Sequence, residues 1–347
     1  MKVGLFDHVE LSDRAYATTL DERLEFAQAA DEAGIWCLHV AEHHASPLNM
    51  VPVPGVYLGA VARATKRMRL GPMVYLLPLY SPLRLTEEIC MLDHLSKGRL
   101  EVGVGRGVSP FELGYHKIKH EDSRDIFKEA YACLTAALAS DPFTFESDLY
   151  QFKDVPMPLR PLQQPTPAMW YASSNETGSQ WAGEQGLHFV TNGPMARAKT
   201  NIDVYRAALA ARGAPVHPKA EFAGGAAIGV GRQIVVAETD EAARAIAEPA
   251  AVYHHANLTY LQRRNASSDL AKRLNIPTAA SFDDAMREGT MICGSPKTVL
   301  AEIERQVGAL GINYLIAYLF FGTMSLPDAL RSLELFRSEV MPKLEEM

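Results

Sequence analysis

Four short polar clusters carry the side chains that could do chemistry in this chain. The first is Glu42-His43-His44, where an imidazole that titrates near neutrality can take or give a proton. Second, Gly103-Val104-Gly105-Arg106-Gly107 flanks a guanidinium with glycines, so a ligand can lie against backbone while the arginine meets an anion. Third, Asp122-Ser123-Arg124 sets an arginine at a helix start, where the dipole disfavours it unless something negative is there to meet it. Fourth, Ala172-Ser173-Ser174-Asn175-Glu176-Thr177-Gly178 places hydroxyl and amide groups between a strand and a helix, a place where unpaired backbone N–H groups bind anions. An ordinary N-cap explains one of those side chains and not five. Two arginines and a hydroxyl-rich helix start together predict one bound phosphate, although either arginine alone reads equally as a solvated surface residue.

Other chemistries fit less well. His39-Val40-Ala41-Glu42-His43 matches the text of H-x-x-E-H, a zinc-protease signature that needs a helix. Here the residues read as a strand, in which the two histidines share a face but stand about 13 Å apart. The glycines around Arg106 lack G-x-G-x-x-G spacing, and neither a P-loop nor a Ser-His-Asp elbow is visible.

The elements that must position these clusters alternate. Apolar runs at Lys2–Phe6, Ile35–Ala41, Met68–Leu77, Leu100–Val104, Met169–Ala172, Leu187–Val190, Ala226–Ala237 and Ile312–Leu319 predict eight strands. Between them lie helical patterns, among them Thr19–Ala33, Val53–Thr65, a segment from Ser81-Pro82 to Lys97-Gly98, Glu176–Gln185, Ala196–Arg212, Pro296–Val307 and Leu326–Met341. Buried apolar strands alternating with helices predict a parallel (β/α)8 barrel, with an open doubly wound sheet as the alternative. One domain over residues 1–347 is expected, with insertions around 143–167, including a hairpin over Phe143–Phe152, and around 240–290. In a parallel barrel the carboxyl ends of the strands share one mouth, and the polar clusters fall at such ends.

Composition narrows the function classes. The 347 residues are 48% hydrophobic and 22% charged with a net charge of −7, which describes a globular chain without an electrostatic footprint for nucleic acid or an anionic membrane. No run of eighteen apolar residues appears, Asp7 interrupts the N-terminal apolar stretch, and the four scattered cysteines make no disulfide framework, so a cytoplasmic protein is expected.

Read together, Glu42-His43-His44, Leu76-Leu77-Pro78, Leu92-Asp93-His94-Leu95-Ser96-Lys97-Gly98-Arg99, Arg106-Gly107 and Asp122-Ser123-Arg124 resemble the bacterial luciferase-like flavin-dependent monooxygenases. The likeness continues through Ala172 to Trp181, Gly294-Ser295-Pro296 and Val340-Met341-Pro342, nearly the whole chain. It implies a (β/α)8 barrel that takes reduced FMN from a separate flavin reductase and oxygenates a small organic substrate through a flavin C4a-hydroperoxide. By the same resemblance His43 is the active-site histidine, with His44 or His8 as a second polar group in the pocket. Arg106 and Arg124 meet the FMN phosphate, Ala172, Ser173, Ser174 and Thr177 form its hydroxyl-rich loop, and Met73-Val74 sits where family members hold a non-proline cis peptide under the flavin ring. Gly105 replaces the reactive cysteine of the luciferase α subunit and the Ser173–Gly178 loop is one residue longer, so light emission is not implied. A homodimer is expected, and the aromatic residues Phe6, Tyr75, Tyr80, Phe111, Tyr115 and Phe320 are candidates for a pocket lining or for core. Three alternatives stay open: a deazaflavin-dependent hydride-transfer enzyme on the same barrel, a flavin-binding protein without turnover, and a zinc hydrolase.

Overall fold

The computed structural model describes residues 1–269 and 281–347. Its strands are β1 (Lys2–Asp7), β2 (Cys37–Val40), β3 (Arg69–Pro72), β4 (Tyr75–Leu76), β5 (Glu101–Gly105), β6 (Phe143–Glu146), β7 (Gln151–Val155), β8 (Ala168–Ala172), β9 (His188–Thr191), β10 (Ile228–Val236), β11 (Met291–Gly294) and β12 (Tyr314–Tyr318). All except the β6–β7 hairpin pair in parallel, in the order β3-β2-β1-β12-β10-β9-β8-β5-β4, and a Leu70–Leu100 bridge brings β3 back to β5. The result is a near-closed parallel barrel with helices outside it, as the alternating apolar strands predict.

Two strand readings change. The run Met68–Leu77 is not one strand: it breaks into β3 and β4 around Met73-Val74, whose peptide bond is cis. Met291–Gly294, which lies between two helical patterns and is too short to show periodicity, is a further strand paired with the upper half of β10 from Gln233 to Val236. The expected hairpin is present as β6–β7. The second excursion contains the helices Asp240–Leu258, Tyr260–Arg264 and Phe282–Glu288, while the part of it at 270–280 lies outside the described residues.

Proline opens four of the outer helices, at Pro54, Pro82, Pro110 and Pro296, where its missing N–H costs nothing. Helix Tyr16–Ala33 stops at Gly34, which holds φ +85, a conformation that L side chains resist. The barrel is filled by side chains, not solvent. Trp36, His39, Trp170, His188 and Tyr314 pack ring against ring inside it, while Leu5, Leu38 and Phe189 on the alternate positions are buried on its outer face under the helices.

The amino-terminal end of the barrel carries a polar plug. Glu101 is fully buried, its carboxylate accepting Trp170 Nε1 at 2.6 Å and pairing with Lys219 Nζ at 2.8 Å and with Arg69. Burial works against that carboxylate, but Arg69 and Lys219 outweigh it and lower its pKa. His39 belongs to this plug: its Nε2 lies 2.8 Å from Tyr314 Oη, and burial drives its pKa down to about 3. His39 and His43 therefore occupy separate environments, one inside the barrel and one at its mouth.

Candidate active site

The carboxyl ends of the strands enclose a cavity of about 800 Å³, large enough for a cofactor and a small substrate together. Its wall contains His43, Met73, Val74, Arg106, Ala172, Ser173 and Ser174, seven of the ten residues expected there. Sequence-distant clusters meet because each ends a strand or begins the helix after it.

On one side stands His43, just past β2. Its Nδ1 lies 3.2 Å from Oε1 of Glu112, a buried carboxylate whose other oxygen accepts the His44 backbone N–H at 3.0 Å. Glu112 was not singled out in the sequence, where it is one acid among many. The signal available was local: Ser109-Pro110 opens the helix Pro110–Tyr115, and the Ser109 side chain caps Glu112 N, fixing this carboxylate in the first turn toward the mouth.

His44 does not line the cavity. Its Nε2 bonds Glu42 Oε1 at 2.8 Å, and that hydrogen bond, first among the causes, raises its pKa against the opposing effect of burial. Glu42 is itself saturated, accepting Leu76 N at 3.1 Å and Tyr80 Oη at 2.9 Å through Oε2. Glu42 and His44 thus tie the end of β2 to β4, and His43 is the one of the three that combines a cavity face with a free ring nitrogen.

The floor is the cis peptide Met73-Val74, with Met73 buried. The glycines beside Arg106 serve this floor: a Cβ on Gly105 would collide with Val74 Cγ2, and one on Gly103 with the Pro72 carbonyl oxygen. Their lack of a side chain lets β5 close on the β3–β4 break, and Gly105 and Gly107 also line the cavity on either side of Arg106.

At the other end are the arginines. Among the described residues, Arg106 and Arg124 have neither a hydrogen-bond nor an ion-pair partner. Burial first, then the neighbouring Arg124, lowers the Arg106 pKa, while Tyr171 opposes. Two adjacent guanidiniums without a carboxylate mark a place for an anion. Arg124 is exposed at the start of helix Ser123–Ala139 and Thr177 is exposed in the first turn of helix Glu176–Gln185; both sit outside the cavity wall itself. Ser173 is occupied in a local turn, accepting Asn175 N at 3.2 Å and donating to Asn175 O at 3.0 Å, and Asn175 caps the helix. Ser174 keeps its hydroxyl exposed at the rim.

Of the six candidate aromatic residues only Phe6 reaches the cavity. Tyr75 donates to Glu88, Tyr80 to Glu42, Phe320 packs under Arg23, Phe111 is buried outside the wall and Tyr115 is exposed.

A parallel barrel whose mouth joins a histidine–carboxylate pair, a cis-peptide floor and an unpaired cationic rim is built as the ligand site of a barrel enzyme. The model of the luciferase-like monooxygenase family matches residues 1–313, and the chain belongs to that family. An uncharacterised protein, y4wF, of Sinorhizobium fredii is 34% identical over 98% of this chain and 96% of its own length. The 2,5-diketocamphane 1,2-monooxygenase 1 of Pseudomonas putida is 25% identical, with 99% of each chain covered. Among solved structures, the oxygenating constituent of 3,6-diketocamphane monooxygenase of Pseudomonas putida, a type II Baeyer–Villiger monooxygenase in complex with FMN, superposes with a TM-score of 0.82 at 24% identity, covering 99% of this chain and 98% of that one. An F420-dependent secondary alcohol dehydrogenase superposes with a TM-score of 0.74 at 18% identity over 99% and 98% of the two chains. At such identities both likenesses concern the fold. No helix of the described residues is long and apolar enough to cross a membrane.

Proposed function

We propose that this chain is the oxygenating component of a two-component, reduced-FMN-dependent monooxygenase acting on a small, largely apolar organic substrate. The observation that carries the reading is the shared cavity: the Arg106 guanidinium at one end, with Arg124 beyond its rim, and the His43–Glu112 pair at the other, across the Met73-Val74 floor. The residues fit FMN. Arg106, with Arg124 at the rim, would hold the phosphate, helped by Ser174, Ser173, Thr177 and the backbone at Ala172, and Met73-Val74 would lie beneath the ring. Reduced FMN, when bound, supplies the electrons that activate oxygen.

The chain's own contribution is positional and protic. Val74, Leu76 and Ile316 give the cavity apolar walls that exclude water, and His43, oriented by Glu112, takes or gives a proton at Nε2 while Nδ1 faces the carboxylate. A separate reductase, a soluble cytoplasmic location and a homodimer belong to the same reading; the first is supported by the Pseudomonas putida neighbour, which is the oxygenating constituent of 3,6-diketocamphane monooxygenase.

The test is anaerobic titration with FMN reduced by dithionite, then mixing with ¹⁸O₂ and a panel of apolar substrates. Binding of reduced FMN and one ¹⁸O atom per product molecule are expected. Binding of reduced deazaflavin F420 in preference to reduced FMN, with hydride transfer and no oxygen incorporated, would replace this reading by the second one, which the F420-dependent fold neighbour supports.

A further inference from the structure

Three imidazoles stand in a row along the cavity wall, with a buried carboxylate behind each end of the row. His43, backed by Glu112, is at one end, His8, immediately after β1, is in the middle, and His254 of helix Asp240–Leu258 is at the other. The ring centroids of His43 and His8 are 5.8 Å apart and those of His8 and His254 are 5.2 Å apart. At such spacing imidazoles exchange a proton directly or through one water molecule. His254 Nδ1 lies 3.2 Å from Oε2 of Glu10, a carboxylate held in place by Gly322 N at 2.6 Å and Asn257 Nδ2 at 3.0 Å. His255 follows on the same wall beside Val252 and Leu258, both exposed, so the row runs from inside the cavity to its edge.

His8 differs from the rings on either side in having no fixed partner. It is 9% exposed, neither ring nitrogen is hydrogen-bonded among the described residues, and neither is sealed from open space. Burial above all, with His254, His43 and Arg23 adding to it, pushes its pKa well below the ordinary value. The ring is therefore neutral, with a hydrogen on one nitrogen and a lone pair on the other. Such a ring accepts a proton on one side and releases one on the other without trapping it as a cation, and with no fixed partner both tautomers are open to it. The other titratable groups around it are engaged elsewhere. Asp7 accepts the Val9 N–H at 2.7 Å and pairs with Arg23, and Tyr318 Oη accepts Asn192 Nδ2 at 3.3 Å. His44 is bonded to Glu42 and stands outside the row.

The oxygenation consumes a proton: the anion of reduced FMN, oxygen, substrate and one proton give oxidised FMN, oxygenated product and water. A cavity filled by flavin and substrate excludes the solvent that would otherwise bring that proton. We propose that His254, His8 and His43 form a proton relay that carries one proton per turnover from the His255 edge of the cavity to His43. The proposal rests on the cavity's being the flavin-dependent oxygenation site, and it gives His8 and His254 the task of recharging His43. In each passage His8 takes a proton from His254 on its bare nitrogen and gives the hydrogen of its other nitrogen to His43, and a half-turn of the ring resets it.

Two measurements test the relay. In the flavin-free chain, nitrogen-15 NMR of the histidine rings reads the tautomer of His8. Averaging between two tautomers is expected, and a single fixed tautomer overturns the relay. The second uses the full chain loaded with reduced FMN and mixed with oxygen in weak buffer containing a pH-indicator dye. No substrate is needed, because the anion of reduced FMN, oxygen and one proton then give oxidised FMN and hydrogen peroxide. His8→Phe keeps a ring and removes both nitrogens: proton uptake should slow by about tenfold or more, with affinity for reduced FMN changed less than twofold as the folding control. Added imidazole should restore the rate in proportion to its concentration, and His254→Asn should behave alike. An unchanged uptake rate in His8→Phe, or a slow rate that imidazole does not restore, overturns the proposal alone. Failure of the wild-type chain to bind reduced FMN overturns it together with the reading on which it rests.

Discussion

His43 Nδ1 and Glu112 Oε1 stand 3.2 Å apart, joining the end of β2 to a helix that begins after β5. The carboxylate cannot swing away, because its second oxygen is held by the His44 backbone N–H at 3.0 Å. The pair therefore fixes which ring nitrogen of His43 faces the cavity, which is what a proton-transferring imidazole requires.

Removing either member should act on turnover and not on flavin binding. His43→Ala is expected to cut product formation by roughly 10²-fold, the usual weight of a general acid or base. Glu112→Gln, which keeps an oxygen for the backbone N–H, should lower kcat in the same direction by less, with the Kd for reduced FMN changed less than twofold. Steady-state kinetics with a saturating reductase, beside an anaerobic flavin titration, reads both; unchanged turnover in His43→Ala would remove it from the chemistry.

Arg106→Ala should weaken FMN by about 2 kcal/mol, roughly thirtyfold, the weight of a charge-assisted hydrogen bond. Riboflavin, which lacks the phosphate, should bind wild type and variant alike. Arg124 is more exposed, and Arg124→Ala should cost less. Fluorescence titration with both flavins checks the assignment, and equal loss of riboflavin and FMN would show a general defect of the mouth.

Gly103→Ala places a methyl group against the Pro72 carbonyl oxygen, a backbone atom that has no room to move. A loss of about 1–3 kcal/mol in stability is expected from such overpacking. Gly105→Ala meets the movable Val74 side chain instead and should disturb the floor of the cavity more than the stability of the barrel. Urea unfolding at equilibrium, with FMN affinity measured on the same variants, separates the two.

Acid should destabilise the fold before its carboxylates titrate. Burial holds the pKa of His39 at about 3 and of His188 at about 4, below an unfolded value near 6.5, so the unfolded chain takes up protons that the folded chain refuses. Their contribution is complete above about pH 6.5 and falls by about 1.4 kcal/mol per pH unit per ring from there toward pH 4. His44 runs the other way: its pKa is raised by Glu42, so its stabilisation is present below pH 6.5 and is lost as pH rises through the raised value. Unfolding free energies between pH 5 and 7 should show a net rise with pH, and His188→Gln should flatten it by one ring's share.

Much of the frame was legible in the residues themselves. Strands in a parallel barrel are buried on both faces, so β1, β2, β5, β8, β9, β10 and β12 show as apolar runs separated by helical periodicity, and their polar ends mark the mouth. The motifs from Glu42-His43-His44 to Arg124 were enough to place the chain in its family. What local pattern could not determine depends on partners distant in sequence. β11 is four residues long and owes its existence to pairing with β10, so no periodicity announces it. Glu112 becomes a partner of His43 only when the loop after β5 folds over the end of β2, 69 residues away along the chain. His43 and His44 are neighbours of one type, and only the Glu42 carboxylate, held by Leu76 and Tyr80, decides that one turns away while the other faces the cavity. Residue order specifies the periodicities and the identity of each polar strand end; which donors and acceptors meet is settled only on folding, because hydrogen bonds form across space between groups that spacing along the chain does not relate.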